Sequence, residues 1–355
     1  MPLSATYLVS KLEELLNIPS PTGFTDSAIV WVENELQVLG IPSRRTKKGA
    51  LLWTIRGGAG QPNLGQPRAI AAHVDTLGAM VKEIKTNGRV NLSRVGGYDW
   101  SSIVGEYCSV HTQAGSSVSG TVVTTKQSTH VWGAEVGEQK RSASTVEVRL
   151  DATVDGHGLS SEEDVQALGI EVGDFVSWDS RTQVLPSGYI KSRHLDNKAA
   201  VAVLLAVTKL VLEDQITVGA DTHCFISNFE EVGHGAAAGI PQDIDELLVI
   251  DMAAMGEGQT SSEHHCTLCV KDSSGPYDHQ FSNRLRGLAS KAGIDLKIDI
   301  YPFYGSDGSA ALSAGLEARV ALIGPGVDAS HAFERTHTDA LEATAKLVLE
   351  YLKHA

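Results

Sequence analysis

Cysteine is scarce in this chain: Cys108, Cys224, Cys266 and Cys269 are the four among 355 residues. So few thiols in so long a chain exclude a disulfide framework, and a reducing cytoplasm is the simplest compartment. Positive charge is also short. Against 43 Asp and Glu stand 29 Lys and Arg, a formal net charge of −14. That balance argues against a general binder of nucleic acid or of an anionic membrane. No run approaches the ~20 apolar residues that a membrane span needs. The longest candidate, Ala199 to Val207, reads as a buried helix. The start, Met1-Pro2-Leu3-Ser4, lacks a basic region followed by an apolar core, so no secretory signal is expected. No internal repeat or low-complexity tract stands out.

What is present fits a globular enzyme-sized protein. Hydrophobic residues make up 42% and charged residues 20%, enough for a real core in one large domain or two ordinary ones. Leu8, Leu12, Leu15 and Leu16 have helical spacing, and Thr25-Asp26 starts a second helix running to about Leu39. Leu51 to Ile55 and Arg68 to His73 read as strands, the second apolar on both faces as inside a helix-covered parallel sheet. Between about Gly78 and Ile190, short β-like runs alternate with Gly, Ser and Thr clusters, the texture of a small barrel or sandwich. After Asp196 the strand–helix alternation returns. Asn197 to Glu213 reads as a buried helix, with strands at Thr222 to Phe229, Leu247 to Asp251, Cys266 to Lys271, Leu296 to Ile300 and Val320 to Ile323. Helices are expected at Asp278 to Ala292, around Ser309 to Ala314, and at Asp339 to Lys353. The expectation is therefore an α/β domain over 1–77 and 191–355, interrupted by a β insertion over 78–190.

The chemistry collects at strand ends, where open α/β sheets place their ligands. One strand ends in His73-Val74-Asp75, another in Phe229-Glu230-Glu231-Val232-Gly233, a third in Asp251. The buried helix begins at Leu195-Asp196-Asn197-Lys198, and the loop after the Val320 strand carries Ala329-Ser330-His331. Each alone has a plainer reading: His73 a core histidine, Asp196 or Asn197 a helix cap, Asp251 a turn cap, His331 surface, Glu230-Glu231 solvated charge. Their recurrence on one sheet edge favours a shared site. Two His and three carboxylates suit zinc or cobalt. Five ligands exceed the need of one open zinc and fit two cations sharing a carboxylate, with a further acid to accept a proton from the water between them. Asp75 is spaced to orient the His73 imidazole. The segment His264-His265-Cys266-x-x-Cys269 also hints at zinc, but no second ligand pair follows nearby, and a buried strand with two reduced thiols is the plainer reading.

These segments resemble the tetrahedral (TET) aminopeptidase family of dinuclear metallopeptidases, the glutamyl- and leucyl-aminopeptidase-like enzymes, nearly end to end. The likeness includes Asn17 to Phe24, His73-Val74-Asp75, Gly156 to Asp179, Leu195 to Lys198, Phe229 to Gly233, Ile250-Asp251, Gly305-Ser306-Asp307-Gly308 and the His331 loop. It implies a three-layer α/β/α catalytic domain with a mixed, mostly parallel sheet and an inserted small β-barrel used for dimerisation. It further implies that His73 and Asp251 bind one metal, Glu231 and His331 the other, and that Asp196 bridges them. Glu230 is then the general base, with Asp75 steadying His73. Peptides are the implied substrates, and a homo-oligomer, up to a hollow tetrahedral dodecamer, the implied assembly; neither nucleic acid nor membrane is a partner. Two departures stand out. Thr76 replaces the acid that usually follows the His-x-Asp step. The segment Asp328 to His337 differs from the common wording, leaving His337 as a second candidate for the last ligand, and is closer to a branch associated with osmoprotectant gene clusters. Two other functions remain compatible with the same residues: an amidohydrolase or deacylase on small acylated amino acids, and a non-catalytic metal-binding assembly protein. Carbohydrate hydrolysis fits poorly, because adjacent Glu230 and Glu231 cannot flank a glycosidic bond and the histidines would be idle.

Overall fold

The computed structural model describes residues 5–58 and 65–354. The Met1-Pro2-Leu3-Ser4 stretch lies outside the described residues. The chain forms two compact units, Met1–Asp75 with Arg181–Ala355, and Thr76–Ser180.

The first unit is built on a mixed sheet. Its strands run in the order Ser43–Arg45, Leu51–Ile55, Thr222–Ser227, Arg68–His73, Glu246–Ile250, Arg319–Val327, Cys266–Lys271 and Lys297–Ile300. The four central strands, from Thr222–Ser227 to Arg319–Val327, are mutually parallel, with Ser227 opposite His73 and Ile250 opposite Ile323. Their carboxyl ends therefore share one edge. Side chains alternate across the sheet: Ile70 and Ala72 enter one core, Ala69 and Ala71 the other. The first core is covered by the helices Ala5–Leu16, Leu195–Glu213, His279–Lys291 and Thr338–Lys353, and the second takes Ala311 of the helix Asp307–Ser313. This is the expected three-layer arrangement. The helix Leu195–Glu213 is buried along almost its whole length, which explains why it has no polar face. Truncating a fully buried residue such as Leu204 there costs about 2–5 kcal/mol. Among the described residues no helix is long and apolar enough to cross a membrane.

The strand expected at Val320 to Ile323 extends over Arg319–Val327. The extension depends on two glycines. A Cβ on Gly324 would lie 1.4 Å from the backbone oxygen of Asp251, and one on Gly326 would lie 2.0 Å from that of Ser262. Backbone passes where a side chain would stand, so the Asp251 segment sits directly against this strand, its N–H bonded to Ile323 O at 3.0 Å.

The second unit contains a closed six-stranded barrel in the order Phe175–Trp178, Gly78–Ile84, Val90–Val95, Val146–Leu150, Ser117–Thr124 and Tyr107–His111. Val81, Val90, Leu92, Val110, Val122, Val148 and Val176 fill its interior. A Cβ on Gly120 would meet Val148 at 2.7 Å, so this glycine lets two barrel strands close. The sequence placed the end of the insertion at Ile190. In the structure Tyr189–Ser192 pairs with Glu334–His337 on one side and with Gln183–Val184 on the other, and all three belong to the first unit.

Candidate metal centre

All five expected ligands meet at the carboxyl edge of the main sheet. His73 is the last residue of its strand and is 1% exposed. Its Nδ1 lies 3.0 Å from the backbone oxygen of Asp75. A carbonyl only accepts, so Nδ1 carries the proton and the Nε2 lone pair points the other way. That lone pair faces Asp196 Oδ1 at 3.2 Å, Glu230 Oε2 at 3.6 Å and Asp251 Oδ1 at 3.8 Å.

Asp196 stands in the first turn of the long buried helix. Its second oxygen, Oδ2, lies 3.2 Å from His331 Nε2, which is 3.7 Å from Glu231 Oε2. One carboxylate thus addresses an imidazole with each oxygen. Burial opposes ionisation of Asp196, but when the His331 and His73 rings are protonated their hydrogen bonds and positive charge outweigh it and hold this carboxyl well below the usual range. Glu230, Glu231 and Asp251 move the other way. Burial, reinforced by the negative charge of neighbouring carboxylates, Asp196 beside Glu231 and Asp251, and Asp251 beside Glu230, raises all three.

Two triads of potential ligands share Asp196: His73, Asp196 and Asp251, and Asp196, Glu231 and His331. In each, one ligand atom per residue lies within 4.8 Å of the others. Two buried polar atoms, His73 Nε2 and Glu231 Oε1, have no hydrogen-bond partner among the described residues. Lone pairs crowded together in a buried pocket are unfavourable unless positive charge lies between them. The donor set, nitrogen and oxygen without thiolate, suits zinc-class cations. The residues therefore fit a pair of divalent ions, one per triad.

Asp75 does something different from the expectation. Its carboxylate Oδ1 is 3.6 Å from His73 Nδ1, beyond a hydrogen bond, and its backbone oxygen orients the ring instead. The carboxylate accepts the backbone N–H of Glu230 at 3.1 Å, that of Glu231 at 3.2 Å, and the Thr22 hydroxyl at 2.7 Å. It fixes the turn that presents both glutamates.

Glu334 was not foreseen. It is buried, and its two oxygens accept the backbone N–H groups of Asp196 at 3.1 Å and His331 at 3.2 Å. Burial, followed by the Asp196 charge, pushes its carboxyl up to about 8. Asp307, also unassigned from the sequence, accepts Ser227 Oγ at 2.5 Å and Ala236 N–H at 2.7 Å, and burial pushes it up to about 6. Lys198 is buried with its ammonium on Ile18 O at 2.5 Å, and desolvation lowers it to about 7. His337, the alternative last ligand, lies elsewhere, beside His264 and Asp339.

The sequence pattern of the M42 glutamyl aminopeptidase family matches residues 49–347. The chain is 45% identical over 342 residues to a Bacillus subtilis (strain 168) protein named "Putative aminopeptidase YhfE", with 96% of each chain covered. A TET aminopeptidase from the marine sediment archaeon Thaumarchaeota archaeon SCGC AB-539-E09 superposes with a TM-score of 0.86 at 19% identity, over 98% of this chain and 96% of that one. The TET1 peptidase of Pyrococcus horikoshii, described as able to assemble into a tetrahedron or a large octahedral shell, gives 0.81 at 20% identity, over 97% and 99%. At these identities the two structures speak to the fold.

Proposed function

The chain belongs to the M42 glutamyl aminopeptidase family of metal-dependent peptide hydrolases, and from that premise we propose that it removes residues from free amino termini with two divalent cations and Glu230 as general base. The observation that carries this reading is the sharing of Asp196 between two ligand triads. His73 and Asp251 would hold one ion, Glu231 and His331 the other, with Asp196 between them. When bound, such ions supply Lewis acidity and fixed positive charge. Zinc or cobalt matches the donor set.

The protein's own groups divide the remaining work. Glu230 belongs to neither triad, yet its Oε2 reaches within 3.6 Å of His73 Nε2, so it is the acid left over beside the ligands. It accepts a proton as water attacks the scissile carbonyl carbon, and returns it to the nitrogen as the C–N bond breaks. Asp75 holds the Glu230-Glu231 backbone in place throughout. A homo-oligomer is supported by the shells described for the Pyrococcus peptidase, and we infer that the Thr76–Ser180 unit contributes to its contacts. Four unpaired, buried cysteines accord with a cytoplasmic setting.

Replacing Glu230 by Gln tests the role directly. Turnover of aminoacyl-nitroanilides should fall by about 10²–10⁴-fold while elemental analysis still finds both metals. Undiminished turnover removes Glu230 from the reaction. Cleavage of N-acyl amino acids in preference to substrates with a free amine would overturn the aminopeptidase assignment in favour of a deacylase.

A further inference from the structure

The segment His264-His265-Cys266-x-x-Cys269 does not act as a unit. Cys266 and Cys269 point into different cores on opposite faces of their strand. His264, in contrast, meets two side chains that the peptidase reading leaves unused. Its Nδ1 lies 3.0 Å from Asp339 Oδ2, and His337 Nδ1 lies 3.2 Å from the same oxygen. The three residues come from separate places in the fold: the turn before the strand Cys266–Lys271, the end of the strand Glu334–His337, and the first turn of the helix Thr338–Lys353.

The far nitrogen of each ring is held. His337 Nε2 lies 2.8 Å from the Ser187 carbonyl oxygen, which can only accept, so Nε2 carries the proton. The Nδ1 of His337 therefore presents a lone pair, and it accepts the Asp339 backbone N–H at 3.1 Å. His264 Nε2 is 3.2 Å from the Tyr189 hydroxyl. Imidazoles that bind metals have the far nitrogen tied in this way, to a carbonyl or another polar group. Asp339 Oδ2 stands 3.2 Å from the same Nδ1, so an ion held between them would take that lone pair from the Asp339 N–H, exchanging one helix-cap hydrogen bond for a metal bond. In a tetrahedral zinc site with bonds of about 2.0–2.1 Å, neighbouring donor atoms stand about 3.3 Å apart, so the observed separations need little adjustment. The 3.2 Å from His73 to Asp196 is of the same size.

We propose that His264, His337 and Asp339 form a further cation site, separate from the Asp196 centre, which takes one zinc-class divalent ion through two imidazole nitrogens and one carboxylate oxygen. The side chains of His264 and Asp339 are 40% and 58% exposed, so the ion reaches the site from solvent and water completes its shell. The helix end contributes roughly half a positive charge, which the full charge of Asp339 exceeds. Bound there, the ion ties the turn before Cys266 to the start of the last helix. It also secures one end of the strand Glu334–His337, whose other end carries the Glu334 that holds Asp196 and His331.

The test compares the full chain with its His264→Ala variant. Both are stripped with a chelator, equilibrated with zinc, desalted, and analysed for zinc per chain. The variant should hold one ion fewer and keep full peptidase activity, and Asp339→Asn should repeat the loss. The comparison is a difference, so it reads the same whether or not the Asp196 centre fills as proposed. The His264 ring is part-exposed and bonded to Asp339 and Tyr189, so the metal-free variant should keep the circular dichroism of the wild type while unfolding at a slightly lower temperature. Equal zinc in both proteins overturns the site and leaves the two imidazoles as ordinary hydrogen-bond partners of Asp339.

Discussion

A carboxylate that commits each oxygen to a different backbone N–H cannot become an amide without turning a donor against a donor. Glu334 is in that position, between Asp196 and His331. Glu334→Gln should therefore loosen two proposed ligands at once, lowering metal affinity by about 10–100-fold in competition with a chelator. Unchanged affinity would show that the two backbones are held by other contacts. The proposed ligands could be picked out as candidates because His, Asp and Glu recur where apolar strands stop. Glu334 was not, because its partners are backbone groups, one of them Asp196 far away in sequence, and a glutamate in Phe333-Glu334-Arg335 reads as surface charge. Asp75 illustrates a subtler limit. Its spacing from His73 marked it as a partner of the ring, but its carboxylate serves Glu230 and Glu231, more than 150 positions away in sequence.

Elements with a strong pattern were readable, and weakly patterned ones were not. The barrel strands Val90–Val95, Tyr107–His111, Val146–Leu150 and Phe175–Trp178 fall where short β-branched and aromatic runs lie between turn residues. The helices Thr129–Trp132 and Glu135–Glu138 went unseen: each is a single turn with no buried residue, so no apolar period exists to detect. The strand Ser43–Arg45 is exposed at every position and lies at the sheet edge. The barrel also carries a pH dependence. His111 bridges Ser117 Oγ at 2.9 Å and Ser177 Oγ at 2.8 Å, joining three strands, and burial lowers its pKa below the ordinary 6.5. Its folded value lies below its unfolded value, so the unfolded chain binds the extra proton first. The contribution is intact above about pH 6.5 and is lost as pH falls toward the folded value. Thermal unfolding followed from about pH 7 to pH 5 should show a decline that is smaller in His111→Gln. Parallel curves would assign the decline to other groups.

For the molecule as a whole, metal and stability should be linked. Ions that bind only the folded state stabilise it, by about 4 kcal/mol at a free concentration of 1,000 times Kd. Stripping the metals should lower the unfolding temperature, and restoring zinc or cobalt should recover it. An unfolding temperature indifferent to both would argue against an occupied centre. Light scattering should give a mass that is a multiple of the 37.7 kDa chain, and a monomer would contradict the proposed assembly. The alternation of an α/β domain with a strand-rich insertion was visible at this scale, because texture changes over a hundred residues are hard to miss. The second boundary was harder to place, since Tyr189–Ser192 pairs with Glu334–His337, far along the chain, and nothing local in the sequence announces that partner.

An anomalous-scattering map from crystals of the zinc-loaded protein tests the proposed dinuclear centre most directly. Two peaks about 3.5–4 Å apart, one beside His73 and Asp251, the other beside Glu231 and His331, with the Asp196 carboxylate between them, are the predicted result. A single peak, or one that leaves His331 or Asp251 without contact to metal, would contradict it.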